Sequence, residues 1–343
     1  MLIKEIEVKE FRGIKESHKP IPLSEFTVII GRNNSGKTSL LEALYLFPIP
    51  GEKSKVYYGM EYTNQSKSSR SITSLKAKEE IIQVLHTEGT LVYGYSGTSE
   101  LRYTLGSGNK YILRLDTKGR GEYIIEEDGK EEKLVYEEAI KRISNYLGVK
   151  IPEVNDLSVY IPSDTQFLGF LERKLIDLEK EIVKKGLNTK AVRLVKETIS
   201  DEFTEVLWTK DGVSLRKVLP EGRVAYIRLR DLGSGLKKVL TIVMLLKTLK
   251  PKMVLWDDFE ISVHPSLIRE TLRWLAKENW QVLISTHSID VLYELLEINK
   301  KFSVLQINKD KGDILKYKCL GREELEDTIE ANQDPRLLSG MVG

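Results

Sequence analysis

The chain of 343 residues carries 53 Lys and Arg against 51 Asp and Glu, a formal net charge of +2, with 41% hydrophobic and 30% charged residues. That mixture excludes a disordered chain, and the even balance excludes a global field that would by itself recruit nucleic acid or an anionic membrane. No apolar run approaches the roughly 20 residues of a membrane-crossing helix, acidic residues stand in the opening stretch where a secretory signal has its apolar centre, and the single cysteine, Cys319, has no partner for an internal disulfide; a cytoplasmic protein is expected.

Residues 2–8 alternate as a half-buried strand does, and Phe26-Thr27-Val28-Ile29-Ile30 reads as a strand buried on both faces. A Gly- and Asn-rich turn follows, then an apolar-periodic helix over 37–46, stopped by Pro48. Residues 49–78 lose this order: Gly, Ser and Lys dominate, and 66–74 reads as a loop. Short alternating segments over 90–134, split by turns such as Gly106-Ser107-Gly108, follow the pattern of antiparallel hairpins. Next come an amphipathic helix over 137–147, a strand over 157–161, and a helical pair over 166–185 and 190–203 whose two or three heptads are too short for a long coiled-coil arm. From Asp211-Gly212 onward helix and strand alternate: helix 235–249, strand 253–256, helix 267–277 and strand 281–285, the order of a parallel sheet covered on both faces. A hairpin, 302–308 with 315–320, and a short acidic helix close the chain.

Gly31-Arg32-Asn33-Asn34-Ser35-Gly36-Lys37-Thr38 matches the spacing of a phosphate-binding P-loop in full, between an expected strand and an expected helix. Gly31 and Gly36 let the backbone turn its amides toward phosphate oxygens, and the following helix adds its positive N-terminal end. Lys37 is expected to grip the β- and γ-phosphates of ATP, with the Thr38 hydroxyl on Mg²⁺. The second metal-side carboxylate is supplied by Met253-Val254-Leu255-Trp256-Asp257, because an acid ending an apolar strand needs a reason to be there. Asp257 would hold Mg²⁺ through water. Asp258, one residue on, either activates the attacking water or caps a turn.

These residues, with others, carry a family likeness. Phe11-Arg12-Gly13-Ile14, the run from Asn33 through Ser39 to Leu44, Asp231-Leu232-Gly233-Ser234-Gly235-Leu236, Asp257-Asp258-Phe259-Glu260 with Val263-His264-Pro265, and Ile284-Ser285-Thr286-His287-Ser288 together resemble the ABC-type ATPases of the RecF-, SMC- and OLD-like group. The resemblance implies an α/β P-loop head with a mixed or parallel core sheet flanked by helices and an antiparallel β lobe. It implies one head over 1–343, with a lobe at 1–165, a helical insertion at 166–210 and a second lobe at 211–343. It implies nucleotide contacts from Arg12, Asn33, Asn34, Ser35 and Ser39 beside the P-loop residues already named. It also implies that Ser234 and Gly235 reach the γ-phosphate held by a second copy, so that an ATP-dependent homodimer forms. His287 becomes the residue that senses the γ-phosphate. Gln166 is either a further contact to Mg²⁺ and water or an ordinary polar loop residue. Read locally, Gly233-Ser234-Gly235 is also compatible with a simple helix cap.

Two departures from the group stand out. Its catalytic glutamate position holds Asp258, shorter by one methylene, about 1.5 Å, which Glu260 could offset. The signature segment is not that of a transporter, and 196 positions separate Thr38 from Ser234, which places a transporter subunit last among the readings. Two others stay open: an ATPase acting on DNA or RNA in maintenance or defence, with a separate nuclease or other effector, and a slowly hydrolysing nucleotide switch. Residues 51–78 offer Lys53, Lys55, Lys67, Arg70, Lys76 and Lys78 with Tyr57, Tyr58 and Tyr62, either a nucleic-acid surface or a solvated loop.

Overall fold

The computed structural model describes residues 1–48, 91–151, 154, 157–163, 165–198 and 201–337. The basic, aromatic segment 51–78 lies outside the described residues.

The N-terminal part lays down β1 (Ile3–Phe11), β2 (Ile14–Ser17), β3 (Ile21–Pro22) and β4 (Phe26–Ile30), then helix α1 (Lys37–Tyr45). Strands β5 (Thr98–Leu105), β6 (Lys110–Asp116), β7 (Gly121–Glu127) and β8 (Lys130–Leu134) form the expected antiparallel meander, followed by α2 (Tyr136–Leu147) and β9 (Ser158–Ile161). Three helices, α3 (Thr165–Asp177), α4 (Glu179–Lys184) and α5 (Leu187–Val195), lead to β10 (Phe203–Thr209), β11 (Gly212–Val218) and β12 (Val224–Arg228). The remainder comprises α6 (Ser234–Leu249), β13 (Met253–Trp256), α7 (Pro265–Lys277), β14 (Gln281–Ser285), α8 (Ile289–Leu296), β15 (Ser303–Lys309), β16 (Ile314–Leu320) and α9 (Arg322–Glu330).

One sheet, in the order β8-β7-β6-β5-β1-β2-β16-β15-β4-β14-β13-β9, joins the two ends of the chain, with β3 paired to β1. Its β15-β4-β14-β13-β9 half is parallel throughout. All five residues of β4, all four of β13 and all five of β14 are buried, as largely apolar runs allow for strands covered on both faces. The register brings Ile29 beside Ser285, and Trp256 beside both Ile284 and Ile161. The C-terminal ends of β4, β14, β13 and β9 therefore share one edge, where an open α/β sheet places its ligand site.

Helix α1 packs on β1, β9, β13 and β14. The antiparallel lobe is pinned to it by Tyr103, whose hydroxyl donates to the Ala43 carbonyl at 2.6 Å, within an aromatic cluster of Phe47, Tyr103 and Tyr111. The expected second helix, 190–203, ends earlier, and residues 203–228 form a separate antiparallel sheet, β10-β11-β12. Its first hairpin closes on Thr209 and Gly212, with Gly212 at φ 105, a backbone that glycine adopts without strain. The Trp208 indole donates to the Leu175 carbonyl at 3.1 Å and ties this sheet to α3.

Candidate functional site

Between β4 and α1 the P-loop turns as its sequence requires. Gly36 has φ 100, and a side chain at Gly31 would lie 2.4 Å from the Ile307 carbonyl, so both positions exclude a Cβ. Ser35 is buried and its hydroxyl has no hydrogen-bond partner, a polar atom held inside the loop. Asn33 and Asn34 are exposed, with Asn34 in the left-handed region at φ 60. The Lys37 ammonium lies folded onto the loop, donating to the carbonyls of Gly31 at 3.0 Å and Arg32 at 3.1 Å. Burial draws it below its usual range, while Asp258, Asp257 and Glu260 favour its charged form. Ser39 follows in the first turn of α1.

Asp257 is buried at the end of β13 and would be costly there without partners. One carboxylate oxygen accepts from the Thr38 hydroxyl at 2.7 Å and the other from the Ser285 hydroxyl. The Tyr160 phenol, raised well above its usual range by burial and by Asp257, closes the site from β9. Asp258 turns out of the strand in the left-handed region at φ 44, which aspartate tolerates better than most residues. Its amide donates to the Ser285 hydroxyl at 2.8 Å. Burial, then Asp257 and Glu260, raise its carboxyl, against the pull of His287 and Lys37. The exposed His287 ring stands with Nε2 3.9 Å from the Asp258 carboxylate.

Glu260 is not a spare carboxylate beside Asp258. One of its oxygens accepts from the Thr286 hydroxyl at 2.7 Å and the other from the His287 amide at 2.7 Å. Arg12, with φ 52, pairs with Glu42 of α1 and faces Tyr160 and Asp257. Gln166 lies in the first turn of α3 rather than in a loop, and its side chain is outside the described residues. The signature segment begins α6: Ser234 is exposed, and Gly235 is buried against the Ser262 carbonyl, 2.2 Å from where a Cβ would stand.

One residue with no motif to announce it is Lys238, a turn into α6. It is buried, lies 5.4 Å from the centre of the Trp256 ring and donates to the Ile261 carbonyl at 3.4 Å. Burial pulls its ammonium down to about 8, against Glu260, Asp258 and Asp257. Its folded-state pKa lies below that of the unfolded chain, so the buried charge weighs fully on the fold below about pH 8 and is relieved as pH rises toward the unfolded value of 10.5. Lys238→Met is therefore expected to stabilise the chain at pH 7, by on the order of 1–3 kcal/mol. That gain should shrink at pH 9.5; urea unfolding at the two pH values measures it, and an equal gain at both would contradict the assignment.

The residues fit a nucleotide with magnesium. Gly31 leaves room that a Cβ would fill beside the unpartnered Ser35 hydroxyl, the left-handed Gly36 turns the loop into α1, and the Thr38 hydroxyl meets the Asp257 carboxylate. Among the described residues no three His, Cys, Asp or Glu side chains converge to hold a metal.

With this geometry in view, the family pattern described as AAA ATPase domain matches residues 1–189, more than half of the chain. The chain belongs to the AAA ATPase domain family. A second pattern, described as AAA domain, putative AbiEii toxin, Type IV TA system, matches residues 153–292 of this AAA ATPase. No curated protein matches it in sequence. Solved structures do. The Smc head domain of Pyrococcus furiosus, with an extended coiled coil and bound to the C-terminal domain of ScpA, is 12% identical with a TM-score of 0.58, over 96% of this chain and 99% of that one. An SMC head bound to the C-terminal winged-helix domain of ScpA is 16% identical with a TM-score of 0.58, over 96% and 100%. The SMC head domain of Thermotoga maritima is 15% identical with a TM-score of 0.51, over 94% and 99%. At such identities the likeness is one of fold: this AAA ATPase has the head fold seen in SMC proteins. Among the described residues no helix is long and apolar enough to cross a membrane.

Proposed function

We propose that this AAA ATPase binds ATP with Mg²⁺, hydrolyses it slowly, and closes as a homodimer in which Ser234 of each copy meets the nucleotide on the P-loop of the other. The observation that carries the reading is the Thr38 hydroxyl on the Asp257 carboxylate at 2.7 Å with Asp258 immediately beyond. Lys37 swings from the loop carbonyls to the β- and γ-phosphates, and the amides of residues 33–38 bind their oxygens. Thr38 and Asp257 would hold Mg²⁺, which would supply charge neutralisation to the phosphates. Asp258 takes the proton of the attacking water, and His287 donates toward the γ-phosphate. The exposed Ser234 at the start of the 16-residue helix α6 presents amides and a hydroxyl to an anion arriving from outside its own chain.

The cycle acts on DNA or RNA, in maintenance or defence, in the cytoplasm, with a separate nuclease or other effector; the resemblance to that group supports this wider role. That solved SMC heads of this fold carry a ScpA domain supports a protein partner here. A switch that turns over rarely is the second reading, favoured by the short reach of Asp258. Light scattering tests the dimer. The Asp258→Asn protein with ATP and Mg²⁺ is expected to double in mass, and adding Ser234→Arg should return it to a monomer. A monomer under the first condition refutes the trans arrangement.

A further inference from the structure

His287 is held by its main chain from both sides. Its amide donates to Glu260 at 2.7 Å, and its carbonyl accepts from a guanidinium nitrogen of Arg336 at 2.6 Å. Arg336 lies beyond α9, 49 positions away, and nothing in the motifs points to it. It does not reach His287 by chance of rotamer. Asp334 fixes its guanidinium through contacts of 2.8, 3.1 and 2.6 Å, and the Gln306 side chain holds the Pro335 carbonyl at 2.7 Å in a buried bond. Gln306 sits in β15 opposite Ile30, the last residue of the strand that feeds the P-loop. The segment 334–336 is thus anchored to the phosphate side of the sheet and reaches from there to the loop between β14 and α8.

We propose that Arg336 and Glu260 are positioning residues that clasp the main chain of His287 from its two flanking peptide groups, and that the C-terminal segment 334–336 thereby sets the efficiency of hydrolysis without touching nucleotide. The two opposite charges act on the peptide groups either side of the His287 Cα. A cation on the carbonyl and an anion on the amide fix both the height and the tilt of the His287 backbone. The ring is exposed, with Nε2 3.9 Å from the Asp258 carboxylate, so its place follows from that of the main chain that carries it. Displacement of a catalytic group by about 1 Å costs on the order of a hundredfold in rate. The Thr286 hydroxyl on the second Glu260 oxygen, and the Ser288 amide on that same hydroxyl at 2.9 Å, extend the clasp along the loop. The inference rests on the reading of His287 as the γ-phosphate contact.

Arg336→Met is expected to lower kcat about tenfold and leave the ATP dissociation constant within about twofold, because only the step that uses His287 is displaced. Arg336→Lys, which can still donate to one carbonyl, should recover at least half of the lost turnover. In a His287→Ala background Arg336→Met should cost nothing further; an equal loss there overturns the proposal. A second measurement is independent of hydrolysis. Amide exchange of the nucleotide-free protein should quicken at 286–288 in Arg336→Met and stay unchanged in the P-loop. Unaltered exchange at 286–288 overturns the clasp even if turnover falls, whereas a wild-type chain that binds but never hydrolyses ATP refutes the proposed function and leaves the exchange result standing.

Discussion

Lys37→Met is expected to weaken binding of ATP with Mg²⁺ by on the order of a hundredfold, about 3 kcal/mol, the worth of charge-assisted bonds to phosphate oxygens. The loss should be selective for the β- and γ-phosphates. The ammonium is now shared by the Gly31 and Arg32 carbonyls of the loop itself, and a methionine can fill its space without its charge. Calorimetry with a non-hydrolysable ATP analogue measures the change. A thermal shift offers a second view, since a ligand at a hundred times its dissociation constant stabilises the fold by about 2.7 kcal/mol. Wild-type protein should show that shift and the variant almost none. Equal affinity in the two proteins sinks the nucleotide assignment.

The second large effect is expected at Asp258. Removing the base with Asp258→Asn should reduce turnover by about 10²–10⁴-fold while ATP still binds. The same change should raise the melting temperature, because a carboxylate raised by burial and by Asp257 and Glu260 is a cost to the folded chain that an amide avoids. Activity and stability moving in opposite directions is the signature of a charge kept for chemistry. Asp258→Glu should extend the reach by about 1.5 Å and raise turnover about tenfold, at some cost in stability, because the left-handed φ of 44 suits aspartate better than glutamate. A fall in turnover would mean that the surrounding loop has been rebuilt around the shorter acid.

Most of the parallel half of the sheet and its edge could be read from the residues, because β4, β13 and β14 are short, largely apolar runs followed by Gly31, Asp257 and Thr286. The P-loop was legible for the same reason that it folds: its glycines stand where a Cβ cannot. The sheet over 203–228 was missed because its apolar pattern does not report a core face: β12, Val224-Ala225-Tyr226-Ile227-Arg228, exposes Val224 and Tyr226. Ser285 lay inside a motif that pointed at its neighbour His287, and its bond to Asp257 depends on the pairing of β13 with β14. Lys238 and Arg336 had no local signal. One is buried by the packing of α6 on the 256–262 segment, and the other is brought to His287 by a segment from the far end of the chain. Glu260 was visible as an acid near Asp258, but a carboxylate's bonding partners cannot be read from sequence spacing.

The sheet order also bears on how the protein is made. β4 is wholly buried, yet both of its neighbours, β14 and β15, belong to the last quarter of the chain, about 250 residues after it. At roughly 5–20 residues per second on the ribosome, this apolar strand waits on the order of 10–50 seconds for its first partner, while β1 and β5 can pair much earlier. A nascent chain halted before residue 281 therefore holds an unpaired P-loop strand, and its recovery in soluble form should depend on chaperone supply far more than that of the finished protein.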